Sequence, residues 1–219
     1  MKRIKKRATI ISTGIRFPRT PSKSAVLRNN QKLIMLTLIF ICGLFVGALT
    51  VKNTNAVLGA SLKSLLENYY TARSGQSVLH SFLSVFGSEC IFLLIAMLFG
   101  VCIIGEPILW LLPFVKGLGI GIISGYLYQA YTLQGMTYFS VYVLPSAVLA
   151  SAALLLGCKE SILMTRDLTR ILLKGESNSG IDMFKLYILR YAVLLGSLVF
   201  CAALSTAATV LFADKINLF

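Results

Sequence analysis

Five runs of apolar residues govern what this chain can fold into: about Leu33 to Val51, Val85 to Gly105, Gly117 to Tyr131, Met136 to Cys158 and Tyr187 to Phe212. Crossing a hydrocarbon core takes roughly 20 such residues in helical form, and a crossing segment has no water to satisfy its backbone, so helix is the conformation open to each run. With 57% apolar and only 13% charged residues and a mean hydropathy of +0.81, the chain as a whole lies outside the soluble globular range. The expected fold is therefore all-α, a polytopic membrane helix bundle of about five transmembrane helices. It forms a single integral membrane domain over residues 33–219, behind a basic arm over residues 1–32.

Charge supplies an orientation. Residues 1–32 hold ten bases, among them Lys2, Arg3, Lys5, Lys6 and Arg7, and no acid, which predicts a cytoplasmic N-terminus. Alternation then places the base-containing connection from Lys159 to Leu186 inside, and the uncharged turn Thr132 to Gly135 and the C-terminus outside. The net charge of +13 raises the question of nucleic acid. Most of the excess lies in the arm, where positive-inside topology and attraction to the anionic lipid bilayer account for it, so no nucleic acid is expected. The first apolar run is too long for a cleaved signal, and no small-x-small site precedes Lys52.

Between the second and third runs lies a denser signal. Ile104-Gly-Glu106-Pro107 and Pro113-Phe114-Val-Lys116-Gly117 frame too few apolar residues to cross, and Pro113 interrupts helix. This predicts a short hairpin over Glu106 to Lys116, with Glu106 and Lys116 paired across it as an anchor rather than a proton relay. Gly117, Gly121 and Gly125, like Gly43 and Gly47, recur every four residues and so line one helix face each, the pattern that lets backbones approach in lipid. The glycines of the third span are expected to meet the second span. Packing within one subunit is the primary reading of these stripes, and a homo-oligomer contact the secondary one. Gly135 marks the next turn, and Pro145 is expected to kink the fourth span.

Amphipathic helices are expected in the external 52–84 and cytoplasmic 159–173 segments. In the first, Leu62, Leu65, Leu66, Tyr69 and Tyr70 share a face, which suits the outer leaflet or a partner platform for extracytoplasmic proteins. In the second, Met164, Leu168, Ile171 and Leu172 oppose Glu160, Arg166, Asp167 and Arg170, as a surface helix extending the fourth span. The five cysteines lack metal or redox spacing and read as small apolar residues. The single histidine, His80, has no obvious nucleophile beside it, so neither enzymatic activity nor a cofactor or metal is expected.

Taken in order, Ile104-Gly105-Glu106-Pro107, Leu112-Pro113-Phe114-Val115-Lys116-Gly117, Gly121, Gly125, Gly135 and Leu144-Pro145 resemble the stage II sporulation protein M family of bacterial integral membrane proteins. The resemblance runs from about Leu33 to the C-terminus and is carried mostly by Phe82 to Cys158. It implies a non-catalytic scaffold or anchor of the engulfment complex during endospore formation. Its implied partners are sporulation proteins D and P, membrane-anchored peptidoglycan hydrolases, at the septal membrane. A permease or channel subunit partnered with an ATPase is the alternative, given intramembrane Pro and Gly. An intramembrane hydrolase comes third for want of a catalytic set.

Overall fold

A computed structural model of the chain describes residues 30–52, 64, 78–174 and 180–212. The chain divides into two units, Met1–Gln31 and Lys32–Phe219, and the packing described below lies within the second. Its helices are α1 (Gln31–Lys52), α2 (Val78–Val101), α3 (Glu106–Tyr138), α4 (Leu144–Lys174) and α5 (Gly180–Phe212), with a five-residue π-turn, Phe139–Val143, between α3 and α4. All five are long and apolar enough to cross a membrane. The 22 residues of α1 extend about 33 Å, matching a bilayer core. The partner-platform residues Leu62, Leu65, Leu66, Tyr69 and Tyr70 lie outside the described residues.

The structure corrects the hairpin expected over Glu106 to Lys116. The chain reverses earlier, in the four residues Cys102 to Gly105, where the amide of Gly105 donates to the carbonyl of Cys102 (3.0 Å). A Cβ at Gly105 would fall on the Phe99 carbonyl oxygen, so this turn needs glycine for close approach. Helix α3 then starts at Glu106, with an acid where helix amides point outward and Pro107 where no donor is required. Pro113 is enclosed within α3 rather than ending it: it is almost fully buried, and protein packed around the freed backbone makes an intramembrane proline tolerable.

At the far end of α3 the expected turn is present and has a specific pivot. Thr132 adopts φ 49°, ψ −122°, the one positive φ of a non-glycine residue among those described, and a β-branched side chain is strained there. Beyond it the backbone doubles back until Gly135 rests on the carbonyl of Leu127. Pro145 does not kink the middle of a span as expected; it is the second residue of α4, directly after the π-turn. The irregular backbone precedes the proline because Pro145 has no amide to offer Val141. From there α4 runs unbroken to Lys174, through the segment expected to form a surface helix. One face of that extension is packed rather than solvated, since Ser161, Ile162 and Thr165 are buried.

Two apolar clusters hold the bundle. Leu36 of α1 and Leu109 of α3 meet Ala96 of α2 and Cys158 of α4 in one. Leu93 of α2, Ala153 of α4 and Leu198 of α5 form the other, so α2 and α4 belong to both. The small-residue stripes are internal, as expected, but the partner of the third span differs. Gly43 and Gly47 of α1 lie on the backbone of α3 at Phe114 and Leu118, while Gly117 and Gly121 of α3 lie on that of α1 at Phe40 and Leu44. Gly125 approaches Ala48 and Val51. These glycines thus join the third span to the first, not to the second. Ala192 and Gly196 of α5, also four residues apart, are exposed, with open space at Gly196.

This interlock predicts a contrast within one helix. Gly47→Leu or Gly121→Leu drives a side chain into the facing backbone and should lower thermal stability in detergent by about 2 kcal/mol or more. Gly119→Leu, where an added Cβ meets nothing, should be neutral or slightly stabilising because the helix loses a glycine penalty of about 0.5–1 kcal/mol. Equal loss in all three variants would refute the interlock.

Candidate functional site

Within a bundle this apolar, the informative chemistry lies where polar side chains meet. Three such places occur among the described residues. The first is at mid-depth. Lys116 lies ten residues into α3, about 15 Å from its start and hence near the middle of a ~30 Å core. Its ammonium donates to Oε1 of Glu89 on α2 at 2.5 Å, and it stands 4.9 Å from the centre of the Phe92 ring, one turn along the same face of α2. The two side chains are 12% and 17% exposed. A lone charge at this depth costs several kcal/mol, and each member here offsets part of that cost for the other.

The pairing corrects the expected one. Lys116 does not meet Glu106; each finds a partner on another helix, because α3 is straight where a hairpin was expected. Glu106 accepts from Nε (3.1 Å) and Nη2 (2.5 Å) of Arg166, which fastens the first turn of α3 to the extension of α4. This is the second polar place, at the charged end of the bundle, where Arg190 of α5 also pairs with Glu160 of α4 and Arg170 with Asp167 at 3.7 Å. The Arg166–Glu106 pair is 46% and 33% exposed, so it contributes at most about 1 kcal/mol and serves chiefly to fix position.

A third place was not singled out from the sequence. Ser161 of α4 donates to the carbonyl of Ala96 on α2 (2.8 Å), and its oxygen lies 2.9 Å from the hydroxyl of Tyr187 and 2.5 Å from that of Tyr191, both on α5. Tyr187 also reaches the carbonyl of Met97 on α2, and Tyr191 that of Gly157 on α4, at 2.9 Å each. Three hydroxyl protons therefore serve five contacts, so protons are shared between acceptors. One turn further, Thr165 donates to the carbonyl of Gly100 at 2.9 Å. Gly100 lacks a side chain because a Cβ there would fall on the Tyr187 and Ser161 oxygens. The cluster ties α2, α4 and α5 together through second lone pairs of helix carbonyls, without breaking any helix.

The motif residues from the sequence thus divide among several tasks. Glu106 and Pro107 start α3; Pro113, Phe114, Gly117, Gly121 and Gly125 form or border its contact with α1; Lys116 alone faces α2 as a charge; Gly135 and Pro145 shape the passage from α3 to α4. They do not converge on one pocket. Glu89, Ser161, Tyr187 and Tyr191 are the additions the structure makes. Glu89 had a signal in the sequence as the one acid inside the second run, whereas isolated hydroxyls in apolar runs offer almost none.

If the hydroxyl cluster is a tie between helices, Tyr191→Phe should lower stability in detergent by about 1 kcal/mol, and Ser161→Ala by about 1–2 kcal/mol because it vacates three contacts. Ser197→Ala, which removes a bond only to its own helix at Leu194, should change little. A Ser161→Ala loss no greater than that of Ser197→Ala would contradict the assignment.

No curated protein and no solved structure matches the chain. A family model, Stage II sporulation protein M, matches residues 36–209, a stretch that reaches into all five apolar helices and contains the three polar places just described. That span is well over half of the chain, and on it the protein belongs to the stage II sporulation protein M family.

Proposed function

We propose that this protein is a non-catalytic membrane scaffold that anchors the peptidoglycan-degrading complex during engulfment in endospore formation. The observation that carries the reading is the use made of interior polar groups. Ser161, Tyr187 and Tyr191 bind α2, α4 and α5 to one another, and Glu89 with Lys116 binds α2 to α3. Groups placed that way resist motion, and a rigid multi-helix base suits an anchor. Family membership ties the chain to sporulation and its five apolar helices to the membrane.

The orientation proposed with it is N-terminus inside and C-terminus outside. Lys32, the turn before Glu106 and the end of α4 with Arg166 and Arg170 share one end of the bundle, and positive-inside charge makes that end cytoplasmic. The segment over residues 52–84 then faces outward, and we assign it the partner platform, with sporulation proteins D and P as the partners. A second reading, a permease or channel subunit partnered with an ATPase, draws on one observation, the ion pair of Glu89 and Lys116 at mid-depth.

Affinity purification from a sporulating host separates the two. The scaffold reading expects wall-cutting enzymes in the complex; an ATPase in their place would support transport. Replacing Leu62, Leu65, Leu66 and Tyr69 with polar residues should abolish recovery of those enzymes while the level of the protein in the membrane stays the same. Undiminished recovery would remove the platform from residues 52–84. For orientation, a reporter active only outside the cytoplasm should be silent after residue 30 and active at the C-terminus, and the reverse pattern would overturn it.

A further inference from the structure

We propose that Lys32, Arg166 and Arg170 form a binding site for the headgroup of an anionic phospholipid, at the end of the bundle where α1 and α3 begin. Lys32 is the second residue of α1 and directly precedes its apolar run. Arg166 and Arg170 lie one turn apart on α4, and Arg166 grips Glu106, the first residue of α3. Leu36, one turn after Lys32, packs in one cluster with Leu109, three residues after Glu106, and with Ile162, one turn before Arg166, so five charged groups from three helices gather at this end.

Their balance is uneven. Glu106 is engaged by Arg166 and Asp167 by Arg170, so neither carboxylate forms a direct ion pair with Lys32, and three bases against two acids leave one positive charge in excess. The two acids offset two of the three bases, and the charge left over is one that an anion from outside the chain can meet.

What surrounds the bases identifies the source of that anion. Within two turns of Lys32 the outward side chains of α1 are Ile34, Met35 and Leu38, and those of α3 beyond Glu106 include Leu111 and Val115, all more than two-fifths exposed. A ligand bound here therefore meets positive charge at headgroup level and hydrocarbon directly beneath it. A lipid with a net negative headgroup matches both. A zwitterionic lipid brings its own cation to a group already in positive excess, and a soluble phosphate leaves the apolar surface unused.

The test uses the full-length chain, so the basic arm is present throughout, in nanodiscs of phosphatidylglycerol mixed with phosphatidylcholine, with retained lipid measured by native mass spectrometry. Wild type should retain phosphatidylglycerol in preference to phosphatidylcholine. Lys32→Gln and Arg170→Gln, which leave the Arg166–Glu106 pair intact, should each cut that preference about 5-fold, the equivalent of about 1 kcal/mol per surface base. Lys185→Gln removes the same charge at the same end from α5, two residues from buried Tyr187 and exposed, and should stay within about 2-fold of wild type. Equal loss in all three variants would mean diffuse attraction and overturn the site, as would an absence of preference in the wild type. Protection of the wild type by inorganic phosphate or glycerol phosphate equal to that by phosphatidylglycerol would overturn the lipid assignment. Unchanged melting in pure phosphatidylcholine discs shows that each variant is folded.

Discussion

Lipid gives two apolar helices no reason to prefer each other over acyl chains, and the rest of this structure follows from that constraint. Hydrophobic burial stabilises insertion; association needs close backbone contact or polar bonds that the bilayer cannot supply. The protein uses each device in a different place. Helices α1 and α3 interlock through Gly43, Gly47, Gly117 and Gly121, with backbone against backbone. Helices α2, α4 and α5 are joined by the hydroxyls of Ser161, Tyr187 and Tyr191 on helix carbonyls. The ion pair of Glu89 and Lys116 connects the two sets, because α2 belongs to one and α3 to the other.

Such an arrangement bears on function through stiffness. A hydroxyl that bridges two helices and a glycine seated on a facing carbonyl both lose their contact when helices slide by even a fraction of a turn. That suits a base from which other proteins work. The irregular backbone collects at one passage, from Thr132 through the π-turn to Pro145, between α3 and α4. Beyond it, α4 passes straight from the membrane-spanning part into the extension that carries Arg166 and Arg170, so position at the charged end is fixed by the core of the bundle.

The sequence made the spans, the Thr132 turn and the small-residue faces legible, because length, hydropathy and a four-residue repeat act locally along a helix. It did not disclose which helix each face would meet. Nearness along the chain suggests the second span as the partner of Gly117 to Gly125, yet periodicity fixes a face and says nothing about the neighbour across it. The same nearness along the chain suggests Glu106 as the partner of Lys116, since a proline such as Pro113 ordinarily breaks a helix. Packed protein around Pro113 keeps α3 straight, and ten residues of helix then carry Lys116 about 15 Å away from Glu106 and opposite Glu89. Ser161 and the two tyrosines were invisible as a group, since their 26- and 30-residue separations become contacts only when α4 and α5 lie antiparallel.

The central claim is that intramembrane charge here holds helices rather than moving protons or ions, and exchanging the two charges tests it most directly. Glu89→Lys or Lys116→Glu alone leaves like charges facing each other in lipid, and each should sharply reduce the protein in the membrane, at a cost of about 3–5 kcal/mol. The account predicts that the double exchange, Glu89→Lys with Lys116→Glu, restores the membrane level, complex recovery and engulfment together. A doubly exchanged protein that returns to its normal level and assembles fully, yet fails in engulfment, would contradict it and assign the pair a role in transport.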